Sequence, residues 1–301
     1  MNNYLNNIIK NNSELLNNKM KKIDIGFTNL VYDCNNKYII KICINSNNEK
    51  RFQNEIDFYL KNKYNKYIPK LYKYHIKETK YEYSYMILEK INGESLYFKW
   101  HSFNEEQRKD IINKISILMK SIHKIKYSSY DWSLFIKKKL IHNLKLCSKY
   151  KIFNENENKN INYIINSCSI YLKSNDLRLV HSDIHFDNIL IDKNNNLKII
   201  DFERSLFAPI DYELDIFLRM CNNPIKYANK DAEKYINIKD YINIPKYLKE
   251  FYPEIFDFEY YEIRHLVYDL ETNMRLLPKF PEDKKLKYRV LNIINKLNTL
   301  L

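Results

Sequence analysis

The chain predicts an α+β fold of two unequal parts, a small β-rich first third and a larger, mostly helical remainder. Three observations carry this. Short β-branched and aromatic runs crowd the start: Ile23–Ile25, Leu30–Tyr32, Tyr38–Ile42 and Ser84–Glu89. From Phe103 onward apolar residues recur three and four apart, as at Ile111, Ile112, Ile115, Leu118, Met119 and Ile122. One β island, Leu177–Ile200, interrupts the helices, with turn residues Asp192–Asn196 between two apolar runs.

Each element follows from local pattern. Residues 1–22 read as a polar, partly helical lead-in, and Asn48–Leu60 as a helix among the strands. The helical part offers Phe103–Ile125, Lys137–Lys151, Lys159–Leu172, Pro209–Met220, Lys246–Phe251, Tyr260–Leu276 and Glu282–Leu301. Asn154–Asn160 reads as a low-complexity Asn/Glu loop, and no internal repeat is present. The chain has only two glycines, Gly26 and Gly93. Survivors of such scarcity are expected where no Cβ fits, although two ordinary turns would also account for them. Gly26 lies in a turn where backbone could approach a phosphate; Gly93 lies where the strand-rich part gives way to the helical part.

A chain of 301 residues can bury a large core without disulfide staples. Cys34, Cys43, Cys147, Cys168 and Cys221 are odd in number and scattered, which argues for free thiols in a reducing compartment and against a zinc site. No apolar run approaches the roughly 20 residues of a membrane span. No apolar stretch at the start resembles a signal peptide. A cytoplasmic protein with no membrane partner is expected. The formal charge of +13 suggests nucleic acid. Yet Lys, Asn, Ile and Tyr are all abundant while Gly, Ala and Arg are scarce, as an AT-rich genome would write. A nucleic-acid binder should show a concentrated basic face with interleaved aromatics. The densest basic stretch, Lys137–Lys151, carries Leu140, Ile141, Leu144 and Leu146 and reads as an amphipathic helix with a solvated Lys face. No nucleic-acid partner is therefore expected.

Polar residues concentrate where short strands end. Leu177–Val180 leads into His181-Ser182-Asp183-Ile184-His185-Phe186-Asp187-Asn188; after Ile189–Ile191 and a turn, Leu197–Ile200 runs into Asp201-Phe202-Glu203. Asp183, Asn188 and Asp201 offer oxygen, the ligand a hard cation such as Mg²⁺ takes. Taken singly, Asp187-Asn188 or Asp201 reads as a turn cap. Together, His181-x-Asp183-x-x-x-x-Asn188, with Asp201-Phe202-Glu203 beginning 18 residues after Asp183, resembles the catalytic and metal-binding loops of the protein-kinase-like fold. Ser182 in a small-residue slot and His185 resemble the aminoglycoside phosphotransferase and choline kinase branch, which commonly reads His-Gly-Asp-Leu-His there. Upstream, Tyr38-Ile39-Ile40-Lys41 resembles the strand with the phosphate-contacting Lys, Glu55 its helix-borne partner, and Leu88-Glu89-Lys90-Ile91 the segment that receives the purine. The resemblance spans about residues 20 to 220. It departs in having one glycine in the phosphate loop and Glu203 at the third position of Asp-Phe-Gly. No Ala-Pro-Glu follows, and no long activation segment fits before Pro209, so a phosphorylation-switched protein kinase is disfavoured.

The resemblance implies a two-lobed protein-kinase-like fold. Residues 1–92 would form a nucleotide-binding lobe with a helical lead-in, and 93–301 a helical lobe with the catalytic loops and acceptor site. It implies a phosphotransferase that uses ATP or GTP, with Mg²⁺ as cofactor and an alcohol group as acceptor. Asp183 would align the acceptor hydroxyl and take its proton late. Asn188 and Asp201 would hold Mg²⁺, Lys41 would contact the α/β-phosphates and Glu55 would hold Lys41. Gly26, Glu89 and Ile91 would border the nucleotide. His181 and His123 are expected to be structural, Trp100 and Trp132 to pack in the core, and His185 either to scaffold the loop or to contact phosphate.

Against a basic background two segments are acidic. Residues 201–215 hold five acids and one base; residues 251–271 hold six acids against Arg264 alone, interleaved with Phe256, Phe258, Tyr260 and Tyr261. Such carboxylates attract a polycation, and neighbouring aromatics suit a quaternary amine or a sugar face. The alternative is solvated helix faces paired with surface Lys. The expected acceptor is a small cationic hydroxylated molecule, an aminoglycoside first. A choline- or ethanolamine-like or other metabolite kinase, and a nucleotide-binding pseudoenzyme, stand as alternatives.

Overall fold

Residues 3–12, 15, 19–23, 29–35, 37–79, 83–127 and 130–301 are described by a computed structural model. In chain order the helices are α1 (Asn3–Lys10), α2 (Glu49–Lys61), α3 (Leu96–Trp100), α4 (Glu105–Ile122), α5 (Trp132–Lys149), α6 (Glu155–Cys168), α7 (Leu214–Asn222), α8 (Ile244–Phe251), α9 (Tyr261–Leu276) and α10 (Lys284–Leu300). The strands are β1 (Met20–Ile23), β2 (Leu30–Cys34), β3 (Tyr38–Cys43), β4 (Leu71–His75), β5 (Ser84–Glu89), β6 (Glu94–Ser95), β7 (Lys126–Tyr127), β8 (Leu177–Val180), β9 (Ile189–Ile191), β10 (Leu197–Ile199) and β11 (Leu206–Ala208). Contacts divide the chain into two units. The first joins Met1–Ile122, Asp183–Ser205 and Met220–Asn243; the second joins His123–Ser182, Leu206–Arg219 and Ile244–Leu301.

In the first unit five strands form one antiparallel sheet, in the order β1-β2-β3-β5-β4. On β3, Tyr38, Ile40 and Ile42 alternate into a core shared with Leu5 and Ile8 of α1 and Ile87 of β5. The period of two sends Ile39 and Lys41 to the other face. α2 packs against β4 and β5 and buries Phe52, Glu55, Ile56 and Tyr59, the three- and four-residue spacing of one helix face. β4 escapes sequence reading because it is an edge strand, largely exposed and broken by a register shift between Leu71 and Lys73. Of the expected strand Ile23–Ile25, Ile23 ends β1; residues 24–28, Gly26 among them, lie outside the described residues.

The loops that carry Asp183, Asn188 and Asp201 belong to the same unit. β9 and β10 form a hairpin whose other neighbour is β6, in the order β10-β9-β6. Gly93 stands just before β6. A Cβ there would meet the Ile191 carbonyl oxygen at 2.8 Å and its carbon at 3.1 Å. Its glycine is therefore required by the close approach of β9 and not by a turn alone. Trp100 is buried and donates its indole N–H to the Asp240 carbonyl at 3.0 Å.

The second unit holds the β11-β8-β7 sheet and a core in which α5, α6, α9 and α10 bury Trp132, Ile136, Ile164, Val267 and Ile294. Trp132 meets Tyr212 edge-on at 4.9 Å and donates to Tyr268 Oη at 3.2 Å. The Asn/Glu stretch expected as a loop is the start of α6. The Asn154 side chain accepts from the Glu157 N–H at 2.8 Å and Glu157 accepts from the Asn154 N–H at 2.8 Å. This reciprocal capping box turns a polar run into a helix start. All five cysteines are buried and free. Among the described residues no helix is long and apolar enough to cross a membrane.

Gly93→Ala forces backbone against backbone, so it should lower the unfolding free energy by about 1–3 kcal/mol, the usual range for overpacking, in a denaturant titration. A variant as stable as the parent would show that β9 yields at no cost.

Candidate active site

Two groups of predicted residues assemble in the first unit. In one, the Lys41 ammonium on β3 lies 2.8 and 2.7 Å from the two Glu55 carboxylate oxygens on α2, and 3.4 Å from Asp201 Oδ1. Glu55 is fully buried and Asp201 is 40% exposed. Burial pulls the Lys41 ammonium down, but Glu55 and Asp201 outweigh it and hold the group above the ordinary lysine range. Burial also pushes the Glu55 carboxyl up, to about 6, against the pull of Lys41. The lysine direction governs at neutral pH: the proton stays on Lys41, and a fixed positive charge points toward Asp201.

α2 also holds the segment that follows Asp201. Phe202 is buried, stacked on Phe58 with ring centroids 3.9 Å apart and edge-on to Tyr59 at 5.1 Å. Asn54 donates to the Ser205 carbonyl at 2.6 Å and to the Glu203 carbonyl at 3.3 Å. Asp201 itself has φ +67°, a left-handed conformation that Asp tolerates better than most residues.

The second group is the loop from Asp183 to Asn188. The Asn188 amide donates to the Asp183 carbonyl at 3.0 Å and lies 3.2 Å from His185 Nε2, which then acts as acceptor. The Ile200 N–H donates to the Asn188 carbonyl at 3.0 Å, which joins this loop to the one that carries Asp201. Arg204 reaches back to Asp183, Nη1 to Oδ1 at 3.0 Å. Arg204 and Asn54 have no place in the expected site. The signal for Arg204 is a lone base in an acidic stretch; Asn54 bonds carbonyls about 150 residues away and leaves no local signal.

Glu89 stands on β5, paired with Tyr38 of β3, and Ile91 follows it. They border a cavity of about 550 Å³ lined also by Lys66, Tyr67, Lys114 and Lys198; Lys41, Asp183, Asn188 and Asp201 are not among its lining residues. Glu89 accepts from the Lys70 N–H at 3.0 Å and sits 3.5 Å from Lys198, so its carboxylate braces strands.

The donor set fits a nucleotide-borne cation. Anchoring the Asn188 NH₂ to Asp183 leaves the amide oxygen as the end able to ligate a metal. Among the described residues no group of three His, Cys, Asp or Glu could hold a metal ion by itself. Mg²⁺ at a phosphoryl-transfer site uses one or two protein oxygens plus phosphate and water, so Asn188 and Asp201 suit it.

In the second unit one buried carboxylate holds the backbone of His181 and Ser182. Glu213, fully buried, accepts the N–H groups of His181 and Ser182, each at 2.7 Å, and His123 Nε2 lies 3.3 Å away. His123 Nδ1 is 2.9 Å from Tyr252 Oη. His123 and His181 are both buried. Ser182 has φ +58°, which explains the small residue at this slot. Burial pushes the Glu213 carboxyl up, but His123 and the backbone donor outweigh it and hold it below the ordinary range.

The acidic segments are not open faces throughout. Asp211 is buried against Arg264, with bonds of 2.6 and 2.9 Å, and Asp215 bonds Arg219 at 2.9 Å and Thr272 at 2.8 Å. With Glu213, three of the five acids of residues 201–215 are interior counter-charges. In residues 251–271, Glu254, Asp257, Glu259 and Glu262 remain exposed.

Lys41→Met strands a buried carboxylate and should cost about 3–5 kcal/mol in unfolding free energy. The double variant Lys41→Met/Glu55→Leu should regain most of it, as read by denaturant titration; no recovery would place the cost outside the pair. Glu213→Gln should cost about 1.5–3 kcal/mol at pH 7, the range for hydrogen bonds to a charged group. A carboxyl held low contributes stability above its unfolded pKa, near 4.3, and loses it as pH falls below. The parent should therefore lose stability faster than Glu213→Gln in acid; parallel pH profiles would contradict this.

Comparison with known proteins agrees with this architecture. The model of the phosphotransferase enzyme family matches residues 19–236. Among curated proteins, none matches the sequence. Solved structures do. A streptomycin–ATP ternary complex of APH(2")-IIa is 17% identical with a TM-score of 0.67, over 99% of this chain and 97% of that one. ADP-bound aminoglycoside phosphotransferase APH(2")-Ib is 18% identical with a TM-score of 0.63, over 97% and 96%. A thermostable mutant of aminoglycoside phosphotransferase APH(4)-Ia, in ternary complex with ADP and hygromycin B, is 12% identical with a TM-score of 0.62, over 96% and 97%. At these identities the likeness establishes a shared kinase-like fold, and the family model covers Lys41, Glu55, Asp183, Asn188 and Asp201 in one stretch. The chain belongs to the phosphotransferase enzyme family.

Proposed function

We propose that the protein transfers the γ-phosphoryl group of ATP or GTP to a hydroxyl of a small cationic acceptor, an aminoglycoside first. The observation that carries the reading is the Lys41–Glu55 pair facing Asp201, with Asp183 and Asn188 on the adjoining loop, in a chain of the phosphotransferase family. Phosphoryl transfer asks for charge neutralisation and in-line placement more than for covalent chemistry. Lys41, kept protonated by Glu55, offers a fixed cation to the α/β-phosphates. Mg²⁺, held by Asn188 and Asp201, would neutralise the phosphate oxygens when bound. Asp183 accepts a hydrogen bond from the acceptor hydroxyl and aligns its oxygen on the γ-phosphorus. The new O–P bond forms as the bond to the β,γ-bridging oxygen breaks, the nucleoside diphosphate leaves, and the hydroxyl proton passes late to Asp183. Arg204, 3.0 Å from Oδ1, orients the Asp183 carboxylate.

Support for an aminoglycoside comes from the ligands of the similar structures, streptomycin and hygromycin B among them. The burial of Asp211, Glu213 and Asp215 favours a second reading, a kinase for a less highly charged hydroxylated metabolite, because fewer carboxylates face solvent than the composition suggests.

The test is turnover with Mg-ATP and, separately, Mg-GTP on aminoglycosides, choline, ethanolamine and amino-sugars, read by mass spectrometry for one added phosphate. An aminoglycoside should gain the phosphate. Choline phosphorylated with no aminoglycoside would move the acceptor to the second reading, and nucleotide binding without any turnover would mark a pseudoenzyme. Asp183→Asn should lower kcat by about 10²–10⁴-fold, the usual worth of a positioned acid–base group, and leave nucleotide affinity nearly unchanged.

A further inference from the structure

One carboxylate of the catalytic loop has no part in this chemistry. Asp187 lies in the 3₁₀ turn Phe186–Asn188, directly before Asn188. Its Oδ1 accepts from Ser95 Oγ at 2.7 Å and from Asn229 Nδ2 at 3.1 Å, and its Oδ2 accepts from the Asn229 backbone N–H at 2.8 Å. The donors stand 92 and 42 residues away in sequence. Both are themselves committed. Ser95 caps α3 by accepting from the Tyr97 N–H at 3.3 Å, and Asn229 Oδ1 accepts from the Ala232 N–H at 3.0 Å.

An ordinary turn cap bonds its own turn. Asp187 instead bonds two distant segments, and it does so at the residue next to the amide whose oxygen is left for a cation. Asn188 itself bonds Asp183, His185 and Ile200. Asp187 ties the same turn to the segments of Ser95 and Asn229. We propose that Asp187, gripped by Ser95 and Asn229, is a positioning residue that sets Asn188 for the cation of a Mg²⁺–nucleotide. The inference rests on the phosphotransfer reading of Asn188. Its chemistry is specific to a carboxylate. Three donors converge on two oxygens, so Asp187→Asn turns an NH₂ group toward a donor, and Asp187→Ala leaves both Asn229 donors without this acceptor and leaves the Ser95 hydroxyl only the Phe186 carbonyl at 3.1 Å.

The test uses the full chain and reads nucleotide binding instead of turnover. ADP is titrated by calorimetry at a series of Mg²⁺ concentrations and in EDTA, for the parent, Asp187→Ala, Asp187→Asn, Ser95→Ala, Asn229→Ala and the Asp187→Ala/Asn229→Ala pair. Asp187→Ala should raise the Mg²⁺ concentration for half-maximal binding by ~10–100-fold, the usual cost of losing a group that orients a metal ligand. Metal-free ADP affinity should hold. Asn229→Ala should give part of the effect, and the double variant no more than Asp187→Ala alone. A lowered melting temperature with an unchanged Mg²⁺ requirement would make Asp187 a structural cap only and end the proposal. Fully additive effects of the two substitutions would end it as well. Should Asp187→Ala fail to fold, Asp187→Asn and Ser95→Ala decide by the same Mg²⁺ readout. A parent that binds ADP without any Mg²⁺ dependence would instead overturn the metal reading of Asn188, and this inference with it.

Discussion

Glu55 is the constraint on which the site depends. A carboxylate with no exposure cannot stay ionised without a partner, and Lys41 is that partner, bonded through both oxygens. The pairing fixes the end of a long, flexible side chain that would otherwise sample many rotamers. It also fixes where α2 lies against β3, because register and helix phase must both be correct for the bond to close. The same helix then governs the second loop. Phe58, one turn on from Glu55, carries the stacked Phe202, and Asn54 holds the carbonyls of Glu203 and Ser205. Asp201 is therefore placed between two anchors, Lys41 of β3 on one side and, on the other, Phe202 packed on Phe58 of α2.

The loop from Asp183 to Asn188 uses a different device. It is closed by its own amide and carbonyl groups, then tied to the Asp201 loop through Ile200 and Arg204. Two residues flank this assembly in left-handed backbone, Ser182 and Asp201. Such a conformation costs about 1–2 kcal/mol for a residue with a Cβ. It persists where the surroundings over-determine it. Buried Glu213 does so at Ser182 by accepting two successive N–H groups. The aromatic stack and Asn54 do so downstream of Asp201. Rigid backbone on both sides of each carboxylate is what a reaction governed by placement requires.

What the sequence revealed and what it hid divide by the range of the interaction. Lys41 was legible through the likeness of Tyr38–Lys41 to the phosphate-contacting strand of the protein-kinase-like fold. Asp183, Asn188 and Asp201 were legible as candidates because the motif that resembles the kinase-like loops is compact in sequence. The helices after Phe103 were legible from apolar spacing. Asn54 and the partners of Asp187 were hidden, since each bond joins residues tens to more than a hundred positions apart. β4 was hidden because an exposed edge strand carries no alternation, and the start of α6 because a capping box is built from the same Asn and Glu that mark a loop. Charge misled most. Asp211, Glu213 and Asp215 look like a solvent-facing acidic run, and only the fold shows that each is consumed by an interior partner.

The choice of cation for those partners is itself informative. The chain has eight arginines against 42 lysines, so a composition that writes Lys wherever a surface charge will serve has kept Arg at few positions. Five of the eight pair closely with aspartate. Arg264 grips Asp211 and Arg178 grips Asp176 through two nitrogens each, Arg219 bridges Asp215 and Asp269, Arg108 meets Asp240 at 2.9 Å, and Arg204 meets Asp183. A planar guanidinium with fixed donor directions can hold a carboxylate at a set angle, which a flexible ammonium cannot. The argument parallels that for Gly93, whose missing Cβ makes room for the Ile191 carbonyl. Where a residue type is scarce, its retained positions mark geometry that its commoner substitute cannot supply. By that reasoning Arg204 stands beside Asp183 to fix the direction of the carboxylate, a task set by the chemistry of the loop and not by a general need for positive charge.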